Sequence, residues 1–220
     1  MRILAIEGAL ARCSVALVAD GAVLAAEAEN LSRGHAAILP AMAARVLQRV
    51  GLPATALDAV AVGVGPGGFT GLRAAIALAQ GLALGAGCPL IGVTTGEALV
   101  AALPDDLRRD HPVWAVLDNR RSAIFAEFFD RGAASPRAVP CAVAIGALPW
   151  MEGAMVVVGD ATGVVLAEAA TRGVAAVAGG PLLPDAIGVA RVAALRLAGA
   201  IPALEARPLY VEPPSVRPPA

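Results

Sequence analysis

The sequence predicts an α/β protein of two lobes, each ordered strand, strand, strand, helix, strand, helix. Three observations carry that expectation. A β-branched run from Ala59 to Val64 breaks at Gly65-Pro66-Gly67-Gly68 and restarts as an Ala-rich helix, the strand–loop–helix step of an α/β unit. Asp20-Gly21 joins two earlier apolar runs as a hairpin turn. After a charged stretch from Pro104 to Pro112, the same order begins again. The expected lobes are residues 1–104 and 105–220.

In chain order, Ile3 to Glu7 reads as a first strand rather than a signal peptide, because Glu7 ends its apolar span. Cys13 to Val18 and Ala22 to Ala28 form the hairpin. A helix follows Gly34 and ends at Val50, before Gly51, with Leu39, Met42 and Val46 at helical spacing and Pro40 in or near its first turn. The next helix begins at about Gly71, with Thr70 as N-cap, and runs apolar to Gly85. At about 15 residues it is too short to span a bilayer, so its all-round apolar surface belongs to a core or an interface. Pro89 to Val93 is a strand, and Thr94 with Glu97 forms a capping box that opens a short helix to Leu103.

The second lobe reads Val113 to Asp118, a turn at Asn119 to Ser122, then Ala123 to Asp130 and a strand near Ala138 to Val143. Met155 to Val158, a helix to Thr171, Val174 to Ala178 and a helix from Asp185 to Ala198 complete it. The tail from Arg207 to Pro214 is too Pro-rich for a helix.

Composition narrows the function. Hydrophobic residues are 58% of the chain, yet no apolar run of about 18 residues is free of charge. Three scattered cysteines without a C-x-x-C pair fit a reduced, cytoplasmic protein. Seventeen basic against 18 acidic residues give a net charge of −1, without the basic stripe expected of a chain that holds RNA unaided.

Two phosphate-loop readings of the central glycines fail. Gly63, Gly65 and Gly68 match G-x-G-x-x-G, but no acid stands about 20 residues on, where a ribose would need it. In the Walker frame Phe69 occupies the lysine position, and the chain contains no lysine.

The stretch Gly65-Pro66-Gly67-Gly68-Phe69-Thr70-Gly71-Leu72-Arg73, followed by its Ala-rich helix, resembles the signature of the bacterial TsaB family, which usually has Ser at the position of Gly68. Weaker similarities extend over most of the chain: Ile3 to Ile6, Cys13 to Leu17, Gly34-His35, Leu39-Pro40, Leu117 to Arg121, Val158-Gly159-Asp160 and Pro208-Leu209-Tyr210. The resemblance implies the actin-like, ribonuclease-H-like ATPase fold. It also implies a non-catalytic subunit in the making of threonylcarbamoyladenosine at adenosine 37 of tRNA. Such a subunit pairs with the transferase TsaD and the ATPase TsaE, forms a homodimer when alone, and meets tRNA only through the complex. It has no cofactor or metal of its own, and ATP or ADP would bind only at the complex seam.

In that fold Glu7-Gly8-Ala9 occupies the first nucleotide loop, where family members read Asp-Thr-Ser, and Asp118 and Asp160 occupy two later ones. Read from the residues alone, Glu7 ends a strand at the surface, and Asp118 and Asp160 cap turns. His35 matches the first histidine of a His-x-x-x-His metal pair in TsaD, but Leu39 stands four positions on. Arg73, a cation in the first turn of a helix, either takes an offsetting phosphate, carboxylate or hydrogen bond or extends into water. Arg120 and Arg121 read as a solvated turn. The expected partner face comprises Leu39, Met42, Val46, Leu72, Arg73, Ala75, Ile76, Ala79, Leu82 and Ala83. A small-molecule kinase or a glycoprotease-like hydrolase of the same fold is the alternative. No H-E-x-x-H, G-x-S-x-G or Cys/His pair supports hydrolysis.

Overall fold

The computed structural model describes residues 1–151 and 153–212, so Pro213 and Pro214 of the expected tail lie outside the described residues. The first sheet has strands β1 (Arg2–Glu7), β2 (Arg12–Ala19), β3 (Ala22–Asn30), β4 (Ala59–Gly65) and β5 (Leu90–Thr94), in the order β3-β2-β1-β4-β5. The second has β6 (Val113–Asp118), β7 (Ile124–Phe129), β8 (Cys141–Val143), β9 (Met155–Val158) and β10 (Ala176–Ala178), in the order β10-β9-β6-β7-β8. Each sheet opens on an antiparallel pair and closes on parallel strands, so the two share one topology. The positive φ of Asp20 and Gly21 makes the tight hairpin between β2 and β3.

Helices α1 (His35–Val50) and α2 (Phe69–Ala86) cover one face of the first sheet. Leu39, Met42, Val46, Leu72, Ala75, Ile76 and Ala79 pack there on Leu4, Ile6, Val60 and Val62. The opposite face carries Ile3, Ala5, Ala16, Ala59 and Ala61, against α3 (Thr95–Ala101) and α6 (Ala186–Leu197). Leu99, Val100 and Leu103 turn from α3 toward Val113, Ala115, Phe129 and Val156 of the second sheet. Helix α3 therefore lies between the sheets. The outer face of the second sheet is closed by α5 (Thr162–Thr171), through Val165 on Trp114, Val116 and Val157.

Three expectations change. The division at residue 104 separates the sheets, but α6 returns across it to the first one, where the Ala186 N–H donates to Ser14 Oγ at 2.8 Å. The physical reason is the row of small side chains on that face, which suits the Ala-rich side of α6. The second change is the start of α2 at Phe69, with Gly68 as N-cap and no side-chain cap, so Thr70 lies within the first turn. The helix spans 18 residues and is long and apolar enough, by those criteria alone, to cross a membrane; a third of it is buried inside this fold. The third change concerns the charged stretch after Pro104, which contains a short helix, α4 (Asp105–Asp110).

The capping box forms as expected: Thr94 Oγ1 accepts from the Glu97 N–H at 3.1 Å, and Glu97 Oε2 accepts from the Thr94 N–H at 2.8 Å. The same turn makes three further contacts. Thr95 Oγ1 donates to the Pro66 carbonyl, Glu127 of β7 binds Thr94 and Gly96, and Glu97 pairs with Arg196 of α6 at 2.7 Å. A Cβ on Gly96 would stand 2.5 Å from Glu127 Oε1. Gly96→Ala is therefore expected to lower stability by about 1–3 kcal/mol through overpacking. Gly81→Ala, in open space on α2, should raise it by up to about 1 kcal/mol. Denaturant unfolding of the two variants beside the parent checks both signs.

Candidate functional site

A cleft of about 770 Å³ opens where the two lobes meet at the strand ends. Its walls are the β1–β2 turn from Gly8 to Ala11, the start of α1 from Ser32 to Ala36, the signature loop from Gly67 to Gly71, and the β6–β7 turn from Asp118 to Arg120, with Phe125 and Asp160.

The signature glycines serve close backbone contact. A Cβ on Gly67 would stand 2.3 Å from the Ala9 carbonyl oxygen, and one on Gly71 would stand 2.4 Å from that of Gly8. The Gly68 N–H donates to the Ala9 carbonyl at 2.6 Å. The β1–β2 turn thus lies directly on the signature loop. Gly65 has φ 99°, a conformation that only glycine adopts readily, and the Gly65–Pro66 bond is cis. Gly68 differs from its neighbours: the nearest atom to a Cβ there is 3.4 Å away, so a serine would fit.

Glu7 is not at the surface. It is fully buried, its cross-strand partner is Ser14, and both face α6. Glu7 Oε1 accepts from the Ala9 N–H at 2.5 Å, while Oε2 has no partner among the described residues. Burial pushes the carboxyl up to about 7, against the hydrogen bonds from Ala9 and Gly8. Gly63 makes room for it, because a Cβ there would stand 2.0 Å from Oε2. The Gly8 and Ala9 N–H groups of this turn are consequently given to Glu7.

Asp118 and Asp160 do meet. Asp160 Oδ1 accepts from the Asp118 N–H at 2.9 Å, and Asp118 Oδ1 accepts from the Arg120 N–H at 2.7 Å. Burial raises the Asp160 carboxyl above its ordinary value. Both side chains shape the β6–β7 turn while lining the cleft. His35 is buried, with Nε2–H donating to the Leu10 carbonyl at 2.8 Å, and Leu39 beside it is fully in the core. Among the described residues no group of three or more His, Cys, Asp or Glu side chains could hold a metal ion.

Arg73 finds its offset in the chain's own tail. Its Nε and Nη2 donate to Tyr210 Oη at 2.9 and 2.6 Å, and its guanidinium lies 3.7 Å over the Phe69 ring. The tail is held further by the Leu209 N–H on the Val64 carbonyl and by Glu212 on Arg121 at 3.2 Å. Arg121 is therefore paired, not a purely solvated turn residue.

The expected partner face needs correction. Leu39, Met42, Val46, Leu72, Ala75, Ile76, Ala79 and Ala83 are buried within the lobe, and Leu82 is half-buried; of that set only Arg73 is exposed. The helix pair turns other residues outward: the small Ala37, Pro40, Ala41 and Ala44 on α1, and Ala77, Gly81 and the larger Leu84 on α2. A nearly all-apolar helix gives little sequence signal for which side faces in. Sequence reading also missed Glu127, a lone charge within an apolar strand, and Arg196, one of two arginines in an apolar helix.

A pH dependence follows from Glu7. Between the ordinary value of 4.5 and about 7, the folded chain holds a proton that the unfolded chain has released, so stability falls as pH rises through that window. Glu7→Gln should flatten the fall by up to about 1.4 kcal/mol per pH unit. Denaturant midpoints of parent and variant from pH 4 to 8 test it.

Residues 26–139 match the family model of TsaD, tRNA N6-adenosine threonylcarbamoyltransferase. The chain is 50% identical over 95 residues to the tRNA threonylcarbamoyladenosine biosynthesis protein TsaB of Escherichia coli, a match covering 43% of this chain and 41% of that protein. It is 34% identical over 125 residues to TsaB of Haemophilus influenzae, covering 57% and 52%. The chain thus spans about half the length of the curated relatives it matches. The solved structure of YeaZ from Pseudomonas aeruginosa superimposes with a TM-score of 0.75 at 28% identity, over 95% of this chain and 99% of that one. With the paired sheets, the glycine-built signature loop and these matches together, the chain belongs to the TsaB (YeaZ) family, with a TsaD-like domain and the actin-like α/β fold.

Proposed function

We propose that this chain is an accessory, non-catalytic subunit for threonylcarbamoyladenosine formation in tRNA, working as the partner of a TsaD-like paralogue. The observation that carries the reading is the state of the cleft's chemical groups. His35 gives its ring N–H to a backbone carbonyl, and the residue one turn on, Leu39, is core. The Gly8 and Ala9 N–H groups of the β1–β2 turn go to Glu7, so a phosphate in the cleft would lack those two backbone donors. Catalysis then falls to the paralogue. A TsaE-like ATPase completes the assembly, tRNA is met through the complex, and ATP or ADP binds only at its seam. The setting is the cytoplasm.

The outward face of α1 and α2 is the surface proposed for the paralogue, or for a second copy when the chain is alone. Its Ala, Gly and Pro residues permit close helix approach. A contact of about 800 Å² per partner, usual for a specific complex, is within the reach of two helices of 16 and 18 residues. The kinase alternative would require Asp118 and Asp160 to leave the turn contacts that occupy them.

Two substitutions separate surface from core. Ala77→Glu, at an exposed position, should leave the chain folded but abolish its co-purification with the paralogue and its support of tRNA modification, because an unpaired charge buried in the seam costs several kcal/mol. Ala75→Glu, at a fully buried position, should unfold the chain. Thermal unfolding, pull-down and nucleoside analysis of tRNA from a strain depleted of the native protein provide the readouts. Formation of the modified nucleoside by this chain alone, or its turnover of ATP, would overturn the assignment.

A further inference from the structure

The lobes touch through polar groups at the first turn of α3. Glu127, in β7, is only 2% exposed and reaches from the second sheet toward the first. Its Oε2 accepts from Thr94 Oγ1 at 2.6 Å, and its Oε1 accepts from the Gly96 N–H at 2.9 Å. Glu97, 1% exposed, sits beside it, with Oε1 on Arg196 Nη2 at 2.7 Å and Oε2 on the Thr94 N–H. Two buried carboxyls therefore stand near one guanidinium, which is paired with Glu97 alone. The Arg196 charge is matched by Glu97, and an ionised Glu127 would have no counter-ion of its own.

Both ends of this contact lead directly to the cleft. Glu127 lies two residues from Phe125 on β7, which lines the cleft. Across the contact, Thr95 Oγ1 holds the Pro66 carbonyl at 2.8 Å, and Gly67 beside it lines the opposite wall. A change at Glu127 thus reaches one wall by a two-residue step along β7, and the other through its contacts to Thr94 and Gly96 and then the Thr95–Pro66 hydrogen bond.

We propose that Glu127 is a proton-operated latch between the lobes: neutral, it holds the start of α3 against β7, and ionised, it releases that grip and lets the cleft open. The groups that face it bear this out. Glu97 comes from α3 and Arg196 from α6, while Thr94 of β5 and Ala115 of β6 carry no charge. Burial, with the adjacent Glu97 charge opposing the hydrogen bonds from Thr94 and Gly96, pushes the Glu127 carboxyl up to about 8. The latch is therefore closed at neutral pH and releases on the alkaline side. The inference stands independently of the function proposed above.

The test is hydrogen exchange of the full chain from pH 6 to pH 9.5, corrected for the intrinsic rate, at amides around Gly96 and along β7. Protection of the parent should fall by up to about tenfold for each pH unit above the Glu127 titration. Glu127→Gln keeps a neutral isostere, its Nε2 donating to Thr94 Oγ1 and its Oε1 accepting from Gly96, and its protection should stay flat. A flat profile in the parent, or a parallel fall in the variant, overturns the latch. Should the variant fail to fold, the carboxyl titration of Glu127, read by carbon NMR in the parent, decides. Its midpoint must coincide with the onset of the fall in protection, and a separation of more than about one unit overturns the proposal.

Discussion

A helix start buried between two sheets is the constraint on which the rest of this structure depends. The first N–H groups of any helix have no partner within it, and in a dry interior each one left alone is costly. At the start of α3 they are met from several directions. Thr94 and Glu97 cap one another, Glu127 arrives from the second sheet, and Arg196 neutralises Glu97 from α6. The Thr95 hydroxyl then passes the connection to the signature loop at Pro66. Four separate parts of the chain are thereby fixed by one helical turn. Apolar packing could bring the same elements together, but it would not set their register as narrowly, because dispersion and burial are not directional.

Close approach is the second theme, and it accounts for a composition rich in Ala and Gly. Helix α6 crosses α3 where a Cβ on Gly188 would stand 2.3 Å from the Ala98 carbonyl oxygen. The tail is equally near, since a Cβ on Gly92 would meet the Glu205 carbonyl oxygen at 2.4 Å. At the signature loop the same device presses Gly67 and Gly71 against Ala9 and Gly8. Small side chains thus let backbone lie on backbone, which increases packed contact without large hydrophobes. The loop that looked like a phosphate cradle is a joint between two turns of the same lobe. Gly65, Gly67 and Gly71 are required by the chain itself, whatever else enters the cleft.

Much of this was legible in the sequence where the cause is local. Hairpin turns, helix ends at Gly51 and the capping box at Thr94 depend on neighbours a few residues apart. The order of strands and helices in both halves follows from periodicity. What was not legible depends on distant partners. For Arg73 an offset or open water would serve, and Tyr210 lies 137 positions away. Glu7 reads as a strand end because an average carboxylate is exposed, and only the fold shows the space left by Gly63. On α2 only Arg73 and Gln80, seven positions apart, mark the outside, and most residues chosen for a partner face are ones the sheet claims, small Ala75 and Ala79 as well as Leu72 and Ile76. The residues left outside range from Ala77 and Gly81 to Leu84.

The extent of the family match acquires a physical meaning in this light. Residues 26–139 run from β3 through β7 and so contain α1, α2, the signature loop, the start of α3 and Glu127. These are the outward helix pair, the joint on which the cleft wall rests, and both sides of the contact between the lobes. The segment that follows supplies β8 to β10, which complete the second sheet, and α5, which closes its outer face. Helix α6 and the tail stand outside the matched stretch, yet they return to it through Arg196 and Tyr210. The matched stretch thus holds many, though not all, of the places where several elements meet, since Gly8, Ala9 and Arg196 lie outside it.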